Sequence, residues 1–164
     1  MDNLSSRIIS LETAVEWRRS LRDEGKQLAV TNGCFDLMHR GHAEYLTTAR
    51  SKADALLVLI NSDASVRSLK GPARPIVGES DRAALLSALR AVDRVVIFDD
   101  VRCDRELAAL CPDIYVKAGD YTLETLAAPE REVLLAAKSE IIFVPFVSGL
   151  STSAIVAAIR GGRG

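Results

Sequence analysis

The sequence predicts an α/β protein built on a parallel five-stranded sheet with helices on both faces. Short runs rich in valine and isoleucine alternate with amphipathic segments along the chain, and such alternation implies right-handed crossovers between parallel strands. The runs are almost continuously hydrophobic, which is typical of strands that are buried on both faces. A length of 164 residues, 48% of them hydrophobic, indicates one domain across residues 1–164.

Each element follows from the same pattern. Strands are predicted at residues 27–32, 55–61, 94–98, 113–118 and 140–146. Helices are predicted at residues 11–24, 41–51, 79–91, 102–110, 129–138 and 151–160. Ligands of such sheets bind beyond the carboxyl ends of the strands, at the point where the strand order reverses. The polar segments at residues 31–33, 61–63, 117–120 and 147–153 are therefore expected to meet at one edge of the sheet.

Composition and charge argue against several classes of protein. The 21 Lys and Arg residues nearly balance the 22 Asp and Glu residues, so no overall field favours a nucleic acid or a membrane surface as partner. The amino-terminal segment has no basic region followed by an apolar one, and no uncharged apolar run reaches membrane-spanning length. Three cysteines without CxxC spacing are expected to be free thiols in a reducing compartment. We therefore expect a cytoplasmic protein.

The segment TNGCFDLMHRGH, residues 31–42, holds both histidines of the chain, His39 and His42. Gly33 follows a predicted strand and lets the backbone come close to a ligand. A helix that begins near Gly41 offers free N–H groups and a positive dipole end to an anion. The spacing of three places both imidazoles on one side of that helix start. The pattern predicts a phosphate site that is neither a P-loop nor a dinucleotide-binding turn, because neither GxxxxGK[ST] nor, after the first strand, GxGxxG is present.

Two other interpretations of the histidines stay open from the residues alone. One is that both are structural side chains in the core or in a fortuitous loop. The other is a zinc site made of His39, His42 and Cys34, for which no second cluster supplies the remaining ligand.

Further polar residues near the predicted edge are candidates for the same site. Lys70 and Arg74, in LKGPARP, either close over phosphates or form a solvated basic loop. Asp36 either orients a histidine or a metal-bound water, or it caps its own turn. Arg82 opens a predicted helix and either reaches a phosphate or balances Asp81.

Two more groups follow the later strands. Asp63, Lys117 and Asp120 lie where strands end at the predicted edge. The hydroxyls of Ser151, Thr152 and Ser153 stand at a predicted helix start after Gly149, where they serve as N-caps, as phosphate ligands or as both.

The residues at these positions carry a family resemblance. HRGH matches the HxGH motif of the cytidylyltransferase-like nucleotidyltransferases, which share a Rossmann-like fold with the class I aminoacyl-tRNA synthetases. More narrowly, the chain resembles the adenylyltransferase domain of the bacterial ADP-heptose pathway in TNGCFDLMHRGHAEYL, INSDASVRSLKGPARPI, DRAALLSALRAVDRVVIF, DIYVKAGDY and GLSTS. These segments run in order from residue 31 to about residue 153 and cover most of the chain.

The resemblance implies an activity and a set of site residues. A sugar 1-phosphate, D-glycero-β-D-manno-heptose 1-phosphate, would attack the α-phosphorus of ATP with Mg²⁺ present, giving an ADP-sugar and pyrophosphate, and a homodimer is expected. The expected catalytic residues are His39, His42 and Lys70. The nucleotide is expected to contact both histidines and Asn32, Gly33, Cys34, Phe35, Gly41, Arg74, Ser151, Thr152 and Ser153. The acceptor is expected to contact Asp36, Asp63, Lys117 and Asp120. The resemblance leaves the metal ligands open.

Two departures from the family pattern keep alternatives open. The basic residue that often follows the STS-type motif three places later is Val156 here, and residues 122–140 differ from the heptose enzymes, which leaves the acceptor open. A glycerol-phosphate-type cytidylyltransferase is one alternative, although such enzymes usually have threonine where this chain has Cys34. A non-catalytic nucleotide-binding module on the same fold is the other. A synthetase-like tRNA module does not fit, because a near-neutral chain of 164 residues has no room for an anticodon-binding domain.

Overall fold

A single parallel sheet of five strands positions every candidate site residue. The computed structural model describes residues 4–145 and 151–161. The strands are β1 (Leu28–Gly33), β2 (Ala55–Asn61), β3 (Arg94–Phe98), β4 (Ile114–Ala118) and β5 (Glu140–Val144). The helices are α1 (Leu11–Asp23), α2 (Arg40–Arg50), α3 (Asp63–Lys70), α4 (Glu79–Ser87), α5 (Asp104–Leu110), α6 (Ala128–Ala136) and α7 (Thr152–Arg160), and a 3₁₀ turn spans Leu4–Arg7.

The strand order is β3-β2-β1-β4-β5, and all four neighbouring pairs are parallel. The chain builds outward from β1 to β3 on one side and then crosses to β4 and β5 on the other. The order therefore reverses beside β1, so the carboxyl ends of β1 and β4 border the crevice where ligands bind in sheets of this kind. The predicted fold class, a parallel five-stranded sheet between helices, is confirmed.

The core lies on both faces of the sheet, as the strand pattern predicts. All seven residues of β2 are buried, and its six apolar residues alternate between two apolar clusters. Leu57 and Leu59 pack on the face that α1, α5 and α6 cover, whereas Leu56, Val58 and Ile60 pack on the face of α2 and α4. A side-chain period of two in a strand produces this division.

Most predicted elements are confirmed, with differences at their ends. Helix α3 falls in a segment that the sequence pattern left without a helix. Its Ser62 N-cap accepts the backbone N–H of Ser65 at 3.3 Å, and only Ser65 and Val66 of its eight residues are buried. So little apolar surface leaves no periodic pattern to detect. The last predicted residue of the fifth strand, Phe146, lies outside the described residues, as do residues 147–150.

The helices of the described residues include none that is both long and apolar enough to cross a membrane. The assignment of residues 1–164 to one domain stays a prediction.

Candidate functional site

The loop after β1 is shaped by a close approach between Gly33 and the ring of Phe35. A Cβ atom added to Gly33 would lie 3.0 Å from Cε2 of Phe35, closer than side chains normally pack. Phe35 itself has a left-handed φ of 47° and is 6% exposed. Gly33 therefore lets the chain fold the phenyl ring under the loop, and this ring supports the histidine that follows.

The structure brings the two histidines together at the start of α2. His39 is the N-cap residue and His42 is the third residue of the helix, and their ring centroids lie 4.0 Å apart. The Nδ1 atom of His42 accepts the backbone N–H of His39 at 3.2 Å. The ring of Phe35 packs against His42 with centroids 5.5 Å apart. Both imidazoles thus stand at a helix N-terminus, where an anion is favoured.

His42 is held in its neutral form. Burial, and to a smaller extent the charges of His39 and Lys70, lower the pKa of His42 to about 4. Because Nδ1 accepts a backbone N–H, the single proton of the neutral ring belongs on Nε2. His42 is therefore a hydrogen-bond donor with a fixed tautomer at neutral pH. The Nδ1 atom of His39 is buried without a hydrogen-bond partner in the described part of the chain.

Asp36 anchors the basic segment that follows α3. Its Oδ1 atom accepts the backbone N–H groups of Ile76 and Val77 at 2.8 and 2.9 Å, and its Oδ2 atom lies 3.0 Å from a guanidinium nitrogen of Arg74. The Asp36 side chain is 1% exposed. It neither orients a histidine nor caps its own turn in these contacts, so its predicted contact with the acceptor gains no support. Lys70, by contrast, is exposed at the last turn of α3.

Arg82 hydrogen-bonds the loop after β1 from the protein interior. Both predictions for this residue, a phosphate contact and a charge pair with Asp81, are therefore wrong. It is fully buried, and its Nε and Nη1 atoms donate to the carbonyl oxygens of Val77 and Cys34 at 2.9 and 2.6 Å. Its Nη2 atom donates to Oδ1 of Asp63 at 2.8 Å. In the described part of the chain the Arg82 guanidinium forms no ion pair with Asp81, and it does not reach the surface, because three distant segments use it.

Asp63 is not brought together with Lys117. Besides its ion pair with Arg82, Asp63 lines a different cavity, between the first turns of α3 and α4 together with Glu79 and Asp99. Its predicted contact with the acceptor stays a prediction without structural support.

A cleft of about 300 Å³ lies where β1 and β4 end. Asn32, Lys117 and Tyr121 line it, and Glu130 forms part of its wall. The Oδ1 atom of Asn32 accepts hydrogen bonds from the Tyr115 hydroxyl at 2.7 Å and from Nζ of Lys117 at 2.9 Å. The Asn32 side chain therefore belongs to the cleft, and its assignment to the nucleotide stays a prediction.

Asp120 follows this cleft in the chain but is not seen in it. Its side chain is exposed after Gly119, whose φ is 118°, and within residues 4–145 and 151–161 it has no hydrogen bond or ion pair. Its acceptor role stays a prediction.

The start of α7 is tied to the histidine loop. Thr152 donates from Oγ1 to the carbonyl oxygen of Leu37 at 3.1 Å, and Ser151 caps the helix by accepting the N–H of Ala154 at 3.1 Å. Ser153 lines a cavity beside Arg74 and Val156. Of these three residues, Thr152 is the one with a hydrogen bond to the loop that carries the histidines. Gly149, from the same predicted segment, lies outside the described residues.

Tyr115 and Glu130 belong to this site but are not among the residues predicted from the sequence. Tyr115 is fully buried and fixes the amide of Asn32, while Glu130 has a side chain only 5% exposed in the first turn of α6. The pattern APER resembles an ordinary acidic first turn of a helix, which is favoured by the helix dipole wherever it occurs. No local signal distinguishes a carboxylate that is buried beside a lysine from one that faces water.

Three comparisons with known proteins agree with this geometry. The family model described as cytidylyltransferase-like matches residues 30–158. Among curated relatives, the proteins called bifunctional protein HldE from Geotalea uraniireducens, Vibrio cholerae and Hyphomonas neptunium are 45%, 41% and 47% identical to this chain. These alignments cover 96%, 96% and 87% of this chain but 32%, 33% and 29% of those proteins. The chain therefore spans about a third of the length of these relatives.

Solved structures share the fold. The lipopolysaccharide core biosynthesis protein of Thermoplasma volcanium is 26% identical, with a TM-score of 0.61 over 75% of this chain and 98% of that one. The pantoate-beta-alanine ligase of Francisella tularensis is 14% identical, with a TM-score of 0.60 over 93% of this chain and 76% of that one, and it bears on the fold alone. With the family model spanning most of the chain, the resemblance first indicated by HRGH is confirmed, and the protein belongs to the cytidylyltransferase-like family of nucleotidyltransferases.

Proposed function

We propose that this chain transfers AMP from ATP to a sugar 1-phosphate, giving an ADP-sugar and pyrophosphate. The observation that carries the proposal is the pair of histidines whose ring centroids lie 4.0 Å apart at the N-terminus of α2, with His42 neutral and its single proton on Nε2. Such a site offers directed hydrogen bonds to phosphate oxygens rather than a base or a nucleophile. The proposed acceptor is D-glycero-β-D-manno-heptose 1-phosphate, supported by 41–47% identity to bifunctional proteins named HldE.

The chemistry needs little from the protein beyond position and charge. An oxygen of the acceptor phosphate attacks the α-phosphorus of ATP, the bond from that phosphorus to the bridging oxygen breaks, and pyrophosphate leaves with the electron pair. A phosphate monoester has a second pKa of about 6, so the nucleophile is already largely dianionic at neutral pH. Donors from His39 and His42, and the charge of Lys70, would stabilise the negative charge that builds on the leaving group.

Lys70 and the start of α7 complete the proposed nucleotide side. The charge of Lys70 contributes to the lowered pKa of His42, which supports a role for its ammonium beside the same phosphates. Thr152 is hydrogen-bonded to Leu37, which supports a role for the neighbouring Ser151 and Ser153 beside the histidine loop. Residues 33–35 would meet the nucleotide through their backbone.

Mg²⁺ would arrive with the triphosphate. This ion usually takes one or two carboxylates together with substrate phosphates and waters, so it does not require a cage of protein ligands. Among residues 4–145 and 151–161, no three His, Cys, Asp or Glu side chains are grouped closely enough to hold a metal. The ion would add positive charge at the α- and β-phosphates.

Compartment and assembly are also proposals. Three free thiols suit a reducing cytoplasm, in which ATP is abundant. A homodimer is proposed from family resemblance.

A pyrophosphate-release screen tests the function. ATP and CTP are each combined with heptose 1-phosphate, other sugar 1-phosphates and glycerol 3-phosphate, with Mg²⁺ and with EDTA. We expect release only with ATP, Mg²⁺ and a sugar 1-phosphate. Release with CTP and glycerol 3-phosphate would assign the chain to the cytidylyltransferase alternative, and calorimetric ATP binding without turnover on any acceptor would leave a non-catalytic module.

A further inference from the structure

Lys117 is held in the cleft by a fixed set of partners. Its side chain is 15% exposed, and its Nζ atom donates to Oδ1 of Asn32 at 2.9 Å and to the Tyr115 hydroxyl at 3.3 Å. Burial raises the pKa of Tyr115 well above its ordinary value, so its hydroxyl keeps its proton and donates to Asn32. An ammonium has three N–H donors. Two are used in these bonds, and among the described residues no hydrogen bond takes the third, although the Tyr121 ring centroid lies 5.4 Å from Nζ. The third donor is therefore left for a ligand in the cleft.

Glu130 supplies the negative charge that faces this ammonium. Its Oε2 atom lies 3.9 Å from Nζ of Lys117, and its side chain is 5% exposed. Its Oε1 atom accepts the backbone N–H of Cys103 at 3.4 Å and lies 3.5 Å from the Cys103 thiol. Burial raises the pKa of Cys103 well above its ordinary value, so the sulfur is a neutral thiol beside the carboxylate. One oxygen of Glu130 is thereby fixed, and the other is directed at Lys117.

The distance between Nζ of Lys117 and Oε2 of Glu130 shows that the two charges attract each other without a hydrogen bond. At 3.9 Å the pair is too long for a hydrogen bond, so Glu130 attracts Lys117 without occupying one of its protons. A buried pair of this kind is weak evidence for stability, because desolvation offsets much of the attraction. An arrangement that fixes a lysine yet leaves a donor open fits ligand binding better than internal packing.

We infer that Glu130 is a positioning residue for acceptor recognition. It holds the Lys117 ammonium, together with Asn32, at the point where the phosphate of the acceptor enters the cleft. Without the carboxylate, a long lysine side chain would regain its rotamer freedom and turn toward solvent, and binding would have to order it again. This inference rests on the proposed function, since it names how the proposed site recognises its acceptor.

The first test separates recognition from packing by steady-state kinetics. Glu130→Gln keeps the length of the side chain and an oxygen that can accept the N–H of Cys103, but it removes the charge. We expect the KM for the sugar phosphate to rise about tenfold, with kcat within about twofold and with the calorimetric Kd for ATP unchanged. The matched control is Glu132→Gln, an exposed residue two positions along α6, which should behave as wild type.

The second test asks whether Glu130 acts through Lys117. Lys117→Met should raise the KM by about tenfold to a hundredfold, and adding Glu130→Gln to it should cause no further loss beyond about twofold. Additive losses in the double variant would overturn the inference, as would a Glu130→Gln enzyme with wild-type KM. If Glu130→Gln melts at a lower temperature, Glu130→Asp, which keeps the charge, should retain an intermediate KM. A KM in Glu130→Asp raised as much as in Glu130→Gln, beside a similar loss in folding stability of both variants, would indicate packing instead.

A binding measurement keeps this inference distinct from the proposed function. Inorganic phosphate is titrated calorimetrically into protein saturated with a non-hydrolysable ATP analogue, which fills the proposed nucleotide side. Wild type should bind phosphate more tightly than Glu130→Gln, and Glu130→Gln should bind it at least as tightly as Lys117→Met. If the wild type fails to turn over any sugar phosphate but shows this difference, the proposed function fails and the role of Glu130 stands. If turnover is present but the three proteins bind phosphate equally, the role of Glu130 fails alone.

Discussion

Nη1 of Arg82 donates a hydrogen bond to the carbonyl oxygen of Cys34 at 2.6 Å, across 48 positions of the chain. The same guanidinium bonds Val77 and Asp63, so one buried side chain fixes the loop after β1, the segment after α3 and the first turn of α3. The position of the histidine loop thus depends on a residue that does not line the cleft at the ends of β1 and β4.

Replacing Arg82 with methionine should destabilise the protein strongly in the absence of any ligand. The change leaves two buried carbonyl oxygens without their donor and Asp63 without its cation, and breaking such a buried network typically costs about 3–5 kcal/mol. Urea denaturation monitored by circular dichroism measures the loss. The matched control is Arg90→Met, an exposed arginine shortly after α4, which should change stability by less than about 0.5 kcal/mol. Normal stability in Arg82→Met combined with weak ATP binding would return this arginine to a phosphate role.

The contrast between strands and charged residues shows what the sequence could predict. A parallel strand that is buried on both faces is a continuous apolar run in the sequence. Such runs therefore predicted all five strands to within one or two residues at each described end. The histidine pair was also local, because HRGH sets the spacing of His39 and His42 in one turn of helix. Both predictions needed only neighbouring residues.

The partners of Arg82 and Glu130 could not be predicted in this way. Cys34 is 48 positions from Arg82, and Cys103 is 27 positions from Glu130, so their contacts exist only after the sheet has formed. Burial of a charge is a tertiary property, and a charged residue in a first helical turn has the same local sequence whether it is buried or exposed. Helix α3 was not predicted because most of its residues are exposed, so its sequence has no periodic apolar pattern.

The titration of His42 provides a test that needs no substrate. Because burial, His39 and Lys70 lower the pKa of this imidazole to about 4, its NMR resonances should shift near pH 4 in the free protein. A bound ATP analogue should move the titration upward, since phosphate charge favours the imidazolium. Only two histidines are present, so His42→Gln assigns both sets of resonances. A midpoint of 6.5 or above in the free protein would contradict the buried, neutral state.

The same pKa determines the direction of a pH effect on stability. His42 has a lower pKa in the folded protein, about 4, than the ordinary value of 6.5 expected when unfolded, so the unfolded chain takes up the proton first as pH falls. Its contribution is complete above pH 6.5 and is lost between pH 6.5 and 4. His42→Gln should therefore make the free energy of unfolding less dependent on pH in that window. Equal slopes in the two proteins would show that His42 is solvated.

Loss of either imidazole should reduce turnover rather than folding. His39→Ala and His42→Ala each remove a preorganised donor to transition-state charge, which typically lowers kcat by about 10²-fold or more. Steady-state pyrophosphate release measures the effect, and thermal melting checks the fold. Glu44→Ala on the same helix, which removes an exposed ion pair with Arg40, should leave both values unchanged. A variant with nearly full turnover but a lower melting temperature would assign that histidine a structural role.

Alkylation of the three cysteines should report nucleotide binding. Cys34 is partly exposed in the histidine loop, Cys111 is partly exposed at the end of α5, and Cys103 is buried with a raised pKa. ATP should slow the labelling of Cys34 by iodoacetamide and leave that of Cys111 unchanged, while Cys103 stays unreactive until the protein unfolds. Mass spectrometry measures the three rates in one sample. Equal rates at Cys34 with and without ATP would place the nucleotide elsewhere.

Substitution of Asp120 tests whether the acceptor side of the proposed site extends beyond Lys117. The residue follows the end of β4, and its exposed carboxylate has no hydrogen bond within the described ranges 4–145 and 151–161. If it accepts a hydrogen bond from a sugar hydroxyl, Asp120→Asn should cost about 1.5–3 kcal/mol, or roughly tenfold to a hundredfold in kcat/KM for the sugar phosphate. Calorimetric ATP binding should barely change, because the histidines and Lys70 lie on the other side of the proposed site.

The alternative for Asp120 is a purely local role in the turn before Tyr121. Asparagine forms such turns as well as aspartate does, so Asp120→Asn would then be nearly silent in every measurement. Glu124→Gln, an exposed carboxylate four positions later, is the control for a general loss of negative charge near the cleft and should leave kcat/KM unchanged. Weakened ATP binding in Asp120→Asn with an unchanged KM for the sugar phosphate would show instead that the end of β4 serves the nucleotide, and that the two sides of the site are assigned the wrong way round.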